Sequence, residues 1–538
     1  MNKLNIYILI FGTSAFFSVT SCTNLDENVY SSITENTYNY APGDATKAVG
    51  AIYANLRGMY TPANRTQEIS SDEIIMPANM VGGWDDGGVY RRMHLHQWNS
   101  EQTLILDLWK NQYTGVLLAN RTLQQLEDKV MPLAANEDEK RLIAEVRALR
   151  AYHYWIIMDN WDNAPLITVA NNELPTNSNR QEIFEFTISE LKAIINDLPT
   201  DKTDDTYGRF TQWAAHTLLA NIYLNAQVYV NTPMWELCIE ECNAVLNSSK
   251  YQLDADYRTP FSAHNENSQE NILVIPYDEI YGHGFEYYRD ALHKANKDTY
   301  NLEATPSGTG SYKGVPQFIE TYDPDDARLS ATWLSGPQMK ANGEPCVGFT
   351  DLSNKPLVFE NKMPNGIQVG EGEGLRWLKY EIEQGARSFL NNDFAIFRLA
   401  QVYMMKAESL LRSGKYDEAA QLVSIVRERA FKDHPEKAKV TGLQLLEPSS
   451  YQYGTVKNYI LAPQIVNAPE QFGRFYDELG WEFAGELMRR RDMIRFGTYT
   501  KVQWLSHEGS NDYRTVFPIP QRALDSNNKL SQNPNYIQ

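Results

Sequence analysis

Ala407-Glu408-Ser409-Leu410-Leu411-Arg412-Ser413-Gly414-Lys415-Tyr416-Asp417-Glu418-Ala419 decides how this chain is read. Apolar residues recur at helical spacing on both sides of Gly414, so two helices meet at a tight turn. Ala407 and Ala419 are small enough to let the helices approach closely, Gly414 turns the chain, and Tyr416 is placed to fill the groove. A related spacing runs from Ala220 and Tyr223 to Cys238 and Cys242, with a longer inter-helix loop at 229–234.

The spacing is that of the tetratricopeptide repeat, whose stacked hairpins usually offer docking faces to protein partners. Helical periodicity extends outward from it. Residues 46–60, 104–126, 138–160, 181–198, 211–228 and 235–246 carry apolar residues at i, i+3, i+4, as do 394–412, 416–430 and 471–496. The middle differs: short β-like runs at 271–276, 357–360 and 377–380 stand between clusters of Gly, Pro, Asn and Asp. The fold class is therefore mainly α, a tetratricopeptide-like scaffold of helical hairpins with an inserted loop-rich, partly β lobe. The boundaries read are 1–21 for a signal peptide, 22–45 for an anchor and tether, 46–250 for an N-terminal helical region, 251–390 for the lobe and 391–538 for a C-terminal helical region.

The N-terminus reads as an export signal. Lys3 precedes a largely apolar run that leads to Val19-Thr20-Ser21-Cys22. The run is too short for a spanning helix, which needs ~20 residues, and a branched apolar residue three before a cysteine forms a lipobox. Cys22 is the expected lipid-attachment site, and its acyl chains the expected membrane anchor. A formal charge of −19 argues against nucleic acid as a partner, because phosphate binding needs clustered Lys and Arg. The 32 Tyr and 11 Trp exceed the needs of an average core and suit surfaces that stack on flat ligand faces. Cys238 and Cys242, four apart on a helix, are read as small buried core residues rather than a bridge.

Several blocks together resemble one family. They are Glu145-Val146-Arg147-Ala148-Leu149-Arg150-Ala151-Tyr152, Phe397-Arg398-Leu399-Ala400-Gln401-Val402-Tyr403, Trp481-Glu482-Phe483-Ala484-Gly485-Glu486 followed by Arg489-Arg490-Arg491-Asp492, and Phe517-Pro518-Ile519-Pro520-Gln521 with Leu530-Ser531-Gln532-Asn533-Pro534. These resemble the SusD/RagB family of outer-membrane lipoproteins of the Bacteroidetes. Cys22 with Leu25-Asp26-Glu27 is similar to that family's anchor and acidic surface-export tag. The resemblance implies a non-enzymatic, cell-surface, lipid-anchored protein that captures oligosaccharide and delivers it to a SusC-like TonB-dependent outer-membrane transporter, with no cofactor. Anchor, helices and aromatic surplus agree with this reading, but by themselves they do not choose glycan over peptide. Glu486, Arg490 and Asp492 are read as charges within one helix that knit it to its neighbours. Pro518 and Pro520 stiffen an exit that pins the C-terminus to the body.

The most site-like stretch is Gly82-Gly83-Trp84-Asp85-Asp86-Gly87-Gly88-Val89-Tyr90. Glycines cannot shield an indole, so Trp84 is expected at an exposed tip, stacking on a sugar ring, with Asp85 accepting hydrogen bonds from hydroxyls. The resemblance places further ligand aromatics in loops 281–288 and 307–314, and gives Tyr288 and Tyr312 as the matching positions. His94-x-His96 lacks a third ligand at metal spacing. Asp323-Pro324-Asp325-Asp326 lacks the spacing of a calcium loop, and 366–374 lacks the Lys-Ser/Thr ending of a phosphate loop. Two rival functions share some of these features: a surface glycoside hydrolase, which needs two carboxylates ~5–9 Å apart, and a peptide-capturing relative, which needs a groove for extended backbone.

Overall fold

The computed structural model describes residues 39–81 and 85–536. Helices α1 (Asp44–Arg57) and α2 (Tyr60–Gln67) precede the short α3 (Val89–His94) and the long α4 (Thr103–Glu127) and α5 (Glu139–Asn160). They are followed by α6 (Arg180–Ile194), α7 (Gln212–Leu224), α8 (Ala226–Val230) and α9 (Trp235–Asn247). Local chemistry sets several boundaries. Asp138 caps α5 by accepting from Lys140 N at 2.9 Å, and Asn179 with Glu182 forms a reciprocal capping box on α6. Thr211 caps α7 through Ala214 N at 3.2 Å.

The helices pack as consecutive hairpins: α4 on α5, α5 on α6, α7 on α9, and the Leu399–Arg412 helix on both α9 and the Tyr416–Arg427 helix. Ala407 and Ala419 are wholly buried where the last pair meets, and Gly414 adopts φ +78 at its turn. Tyr416, however, remains 38% exposed rather than filling the groove, and its Cβ would stand 2.7 Å from a Cβ built on Gly442. Cys238 and Cys242 are buried and unbridged. Polar contacts lock the stack: Arg147 and Arg150 of α5 both bind Glu190 of α6, and Glu145 takes Arg141 at 3.0 Å and Arg209 at 2.8 Å.

Two periodic stretches depart from the helical reading. Phe394–Arg398 is a strand paired antiparallel with Asn271–Ile275, and the helix begins only at Leu399. Pairing the two ends of the loop-rich region satisfies backbone groups that a buried helix start would leave without partners. The stretch 471–496 is two helices, Gly473–Phe483 and Arg489–Arg495. Gly485 (φ +76) lies so close to the Trp377 indole that a Cβ would stand 2.4 Å from its Nε1, and Leu487 also has positive φ. Glu73 and Glu68 accept the N–H groups of Gly485 and Leu487, so the break is held from outside the segment. Glu486 accordingly sits in the link rather than in a helix.

That link belongs to a dry cluster of charge joining lobe to helices. Arg398 contacts Glu270 and Glu482 at 2.8 Å and Glu486 at 2.6 Å; Arg429 binds Glu482 at 2.6 Å; Arg328 binds Glu478 at 2.7 Å and Glu482 at 3.1 Å. Burial alone would raise the Glu482 pKa, but Arg429, Arg398 and Arg328 outweigh it and hold it far below the usual carboxylate range. At the other end, Trp161 Nε1 donates to Pro518 O at 3.0 Å and Phe517 N to Asn160 O at 2.8 Å, tying the C-terminal exit to α5.

In the lobe, Ile74–Ile75, Lys313–Gly314, Arg376–Trp377 and Trp333–Leu334 form a four-stranded antiparallel sheet in that order, and Ala78–Asn79 pairs parallel with Gln368–Val369. The segment following α2 is thus threaded through the lobe, which places α2 beside loops more than 200 residues away. Among the described residues no helix is long and apolar enough to cross a membrane.

Candidate functional site

Where that segment crosses, an open cleft of about 430 Å³ forms. Met76, Pro77 and Asn79 line one side, the 307–311 loop another, and Phe349 with Thr350 a third; Arg65, Tyr90 and Asp290 complete it. Pockets of this kind, mostly apolar with a few converging polar groups, are the usual form of a small-ligand site.

The 307–311 loop takes its shape from backbone bonds to the Tyr288–Ala291 turn. Ser307 N donates to Arg289 O at 2.6 Å, and Tyr312 N donates to Asp290 O at 3.1 Å. Gly310 has φ +77, and a Cβ there would lie 2.6 Å from Ala291 O, so the close approach requires glycine. Asn79 Nδ2 donates to Thr309 Oγ1 at 3.0 Å and joins two walls.

The third wall hangs on one buried carboxylate. Glu371 accepts from His293 Nε2 at 2.7 Å, Phe349 N at 2.8 Å, Thr350 N at 3.0 Å and Thr350 Oγ1 at 3.1 Å. Burial would raise its pKa, but these donors bring it down to about 2. His293 Nδ1 accepts from Ala295 N at 3.0 Å, so the ring is neutral and presents Nε2–H to Glu371. Phe349 is half-buried, with the Lys294 ammonium 3.0 Å from its ring centroid, a cation–π contact that fixes the ring.

Among the described residues Arg65 and Asp290 are the two charged ones lining the cleft, and they bind each other at 2.9 Å with side chains 27% and 28% exposed. The guanidinium lies 5.6 Å from the Tyr90 ring centroid, and its Nε meets no hydrogen-bond partner in the structure. Burial opposes the Arg65 charge, while Tyr312, Tyr90 and Asp290 together favour it more strongly, so its pKa is raised.

The residues singled out from sequence fall in different places. Cys22 and Trp84 lie outside the described residues. Asp85 does not line the cleft; its carboxylate faces Arg91 at 3.3 Å. Tyr288 is fully buried, its hydroxyl donating to Arg387 O at 3.2 Å and Ser388 O at 3.4 Å, and so presents no ring face to a ligand. Tyr312 is 3% exposed, edge-to-face against Trp377 at 5.9 Å, and supports Arg65 from beneath. The stacking role assigned to these two tyrosines is corrected: the same loops reach the cleft through Asp290, two residues on, and Ser311, one residue back. Arg65 and Phe349 were missed. Arg65 lies beyond the 46–60 helical stretch with no motif around it, and Gly348-Phe349-Thr350 carries no periodic or motif signal.

His94 and His96 pack against His507 in the core, with burial bringing the first two down to about 3. His96 Nε2–H donates to Ser70 O at 2.8 Å and His507 Nδ1–H to His94 O at 2.9 Å. These bonds tie the turn after α2 and the end of α3 to the C-terminal loop. Among the described residues no group of three or more His, Cys, Asp or Glu is placed to hold a metal ion. Asp323 and Asp325 instead clasp Lys437 at 2.8 and 2.7 Å, and Asp326 binds Arg328.

Comparison with known proteins places the chain. Residues 243–536 match the SusD family, and residues 25–224 match the family described as starch-binding associating with outer membrane. The chain belongs to the SusD family. It is 23% identical to SusD-like protein P25 of Formosa agariphila over 98% of this chain and 97% of that one. It is 25% identical to the starch-binding protein SusD of Bacteroides thetaiotaomicron over 73% and 72%. A solved structure described as a laminarin-binding SusD-like protein superposes with a TM-score of 0.68 at 20% identity, covering 93% of this chain and all of that one.

Proposed function

We propose that this chain is a non-enzymatic glycan-capture protein of the outer cell surface, anchored by acylated Cys22, that holds an oligosaccharide in the Arg65–Phe349 cleft and delivers it to a SusC-like TonB-dependent transporter. The observation that carries the reading is the cleft itself: a half-buried Phe349 face beside a paired donor and acceptor, Arg65 and Asp290, in a pocket open to solvent. An apolar face for stacking with a few polar groups for orientation is what a sugar site needs. The starch- and laminarin-binding relatives support glycan over peptide. Among the described residues Asp290 is the one carboxylate lining the cleft, whereas glycosidic hydrolysis uses two. Trp84 lies three residues beyond the cleft-lining Val81 in sequence and is the proposed additional stacking residue. The hairpin stack is the proposed transporter-docking face.

Titration calorimetry of the full chain against neutral and acidic oligosaccharides and a peptide digest tests this. One glycan class should bind, and Phe349→Ala should weaken it at least tenfold, ~1.4 kcal/mol, with little change in melting temperature. Binding confined to the peptides, or no binding at all, would refute the reading; released sugar products would show a hydrolase.

A further inference from the structure

We infer that the cleft selects an uncharged sugar presenting two adjacent hydroxyls, with Arg65 and Asp290 acting together as the clamp on that diol; the inference rests on the glycan reading above and narrows it to a substrate class.

Charge inside the cleft is balanced before any ligand enters. Arg65 and Asp290 line it together and neutralise each other at 2.9 Å. A carboxylate or sulfate on the ligand would therefore compete with Asp290 for the guanidinium and meet the Asp290 charge at short range. The cations around it are engaged elsewhere: Lys294 has its ammonium on the Phe349 ring, Arg289 pairs with Glu286 at 2.7 Å, and Arg376 Nη2 donates to Thr309 O at 3.1 Å and Glu371 O at 2.6 Å. At longer range the chain's formal charge of −19 repels polyanions as they approach.

The pair nevertheless retains hydrogen-bonding capacity of both signs. Arg65 offers five N–H donors: Nε is buried and one on Nη2 goes to Asp290, while the side chain stays 27% exposed and keeps further Nη donors for a ligand. Asp290, acceptor-only when ionised, has lone pairs beyond the one that receives Arg65. A donor and an acceptor held one hydrogen bond apart match adjacent ring hydroxyls, each of which can both accept and donate. One hydroxyl accepts from Arg65 while its neighbour donates to Asp290, so neither charge is stripped of partners on binding. Both bonds are charge-assisted, the stronger kind. Phe349, which lines the same cleft, offers apolar surface for the ring's C–H face.

The test uses the full chain and a fixed set of probes: malto-, laminari- and xylo-oligosaccharides, oligogalacturonates, and sulfated laminari-oligosaccharides of matched length. A neutral member should bind at least tenfold tighter than every acidic one. Asp290→Asn should weaken that neutral sugar at least tenfold while narrowing its margin over the oligogalacturonate. Deoxy analogues of the bound sugar supply the second measurement: removing one clamped hydroxyl should cost the wild type as much as the substitution does, and cost Asp290→Asn no further loss. An acidic oligosaccharide preferred by the wild type would overturn the inference and leave the glycan reading standing. A neutral sugar bound equally well by both proteins would also overturn it, since Phe349→Ala separately reports whether the cleft is occupied. Peptide binding alone would refute the glycan reading itself.

Discussion

Arginine–carboxylate pairing serves two opposite ends in this molecule. Around Glu482, three arginines and the neighbouring carboxylates are removed from water, and every charge is matched by others in the cluster. Around Asp290, one arginine meets one carboxylate, each about a quarter exposed, at the wall of an open cleft. In the dry cluster each charge's hydrogen bonds go to protein, so the cluster can only hold elements together. In the cleft the pair is satisfied electrostatically yet keeps donors and acceptors that a ligand can use. Chemistry is shared; solvent access separates clamp from reader.

The comparison is most sharply broken at Glu482. Glu482→Ala leaves Arg398, Arg429 and Arg328 short of a buried counter-charge, and loss of one partner of such a set costs about 3–5 kcal/mol. Denaturant unfolding should show that loss, whereas Asp290→Asn should leave the midpoint nearly unmoved. Equal stability losses at both sites would erase the distinction.

Next in size is a pH effect that sets the interior carboxylates against one another. Glu482, held low by its arginines, stabilises above the unfolded carboxylate range, and that contribution is lost as pH falls from about 4.5. Glu73 behaves oppositely. Burial first, then the adjoining Glu68 carboxyl, raises it well above 4.5, so the folded chain keeps a proton that the unfolded chain releases. Its contribution is complete below about 4.5 and is lost as pH rises through the folded value, with a slope of about 1.4 kcal/mol per pH unit while one proton is at stake. Glu73→Gln keeps an acceptor for Gly485 N–H and gives Glu68 a donor that does not titrate. Stability measured as pH rises from about 4.5 should therefore fall less steeply in the variant. An unchanged slope would show that the pair carries no shared proton.

The smallest stability effect belongs to the sequence's own choice of ligand residue. Trp84→Ala should weaken glycan binding about tenfold, ~1.4 kcal/mol, with the melting temperature unchanged. A lowered melting temperature would make the indole part of the core instead of the cleft's rim.

Helix periodicity alone recovered most of the scaffold, because a stripe of apolar side chains at 3.6-residue spacing is a local property. It failed at Phe394–Arg398, whose strand pairs with Asn271–Ile275 over a hundred residues earlier, and at the break after Phe483, which Trp377, Glu68 and Glu73 impose from the lobe. For the site, the 307–314 stretch reaches the cleft through Ser307, Gly308, Thr309 and Ser311, whereas no residue of 281–288 lines it and the Phe349–Thr350 wall carried no signal. Tyr288 and Tyr312 carried the aromatic signal and turned inward; Asp290 and Ser311 beside them turned outward.

The sequence by itself determined the family and most of the helical hairpins, since each is written in local spacing or in blocks of adjacent residues. Only the tertiary structure decided that Arg65, on an early helix, would face Asp290, 225 positions later, and that Phe349 would line the same cleft. A site built by threading one segment through a distant lobe has no local pattern to betray it, because which side of a loop faces solvent is fixed by the packing of everything around it.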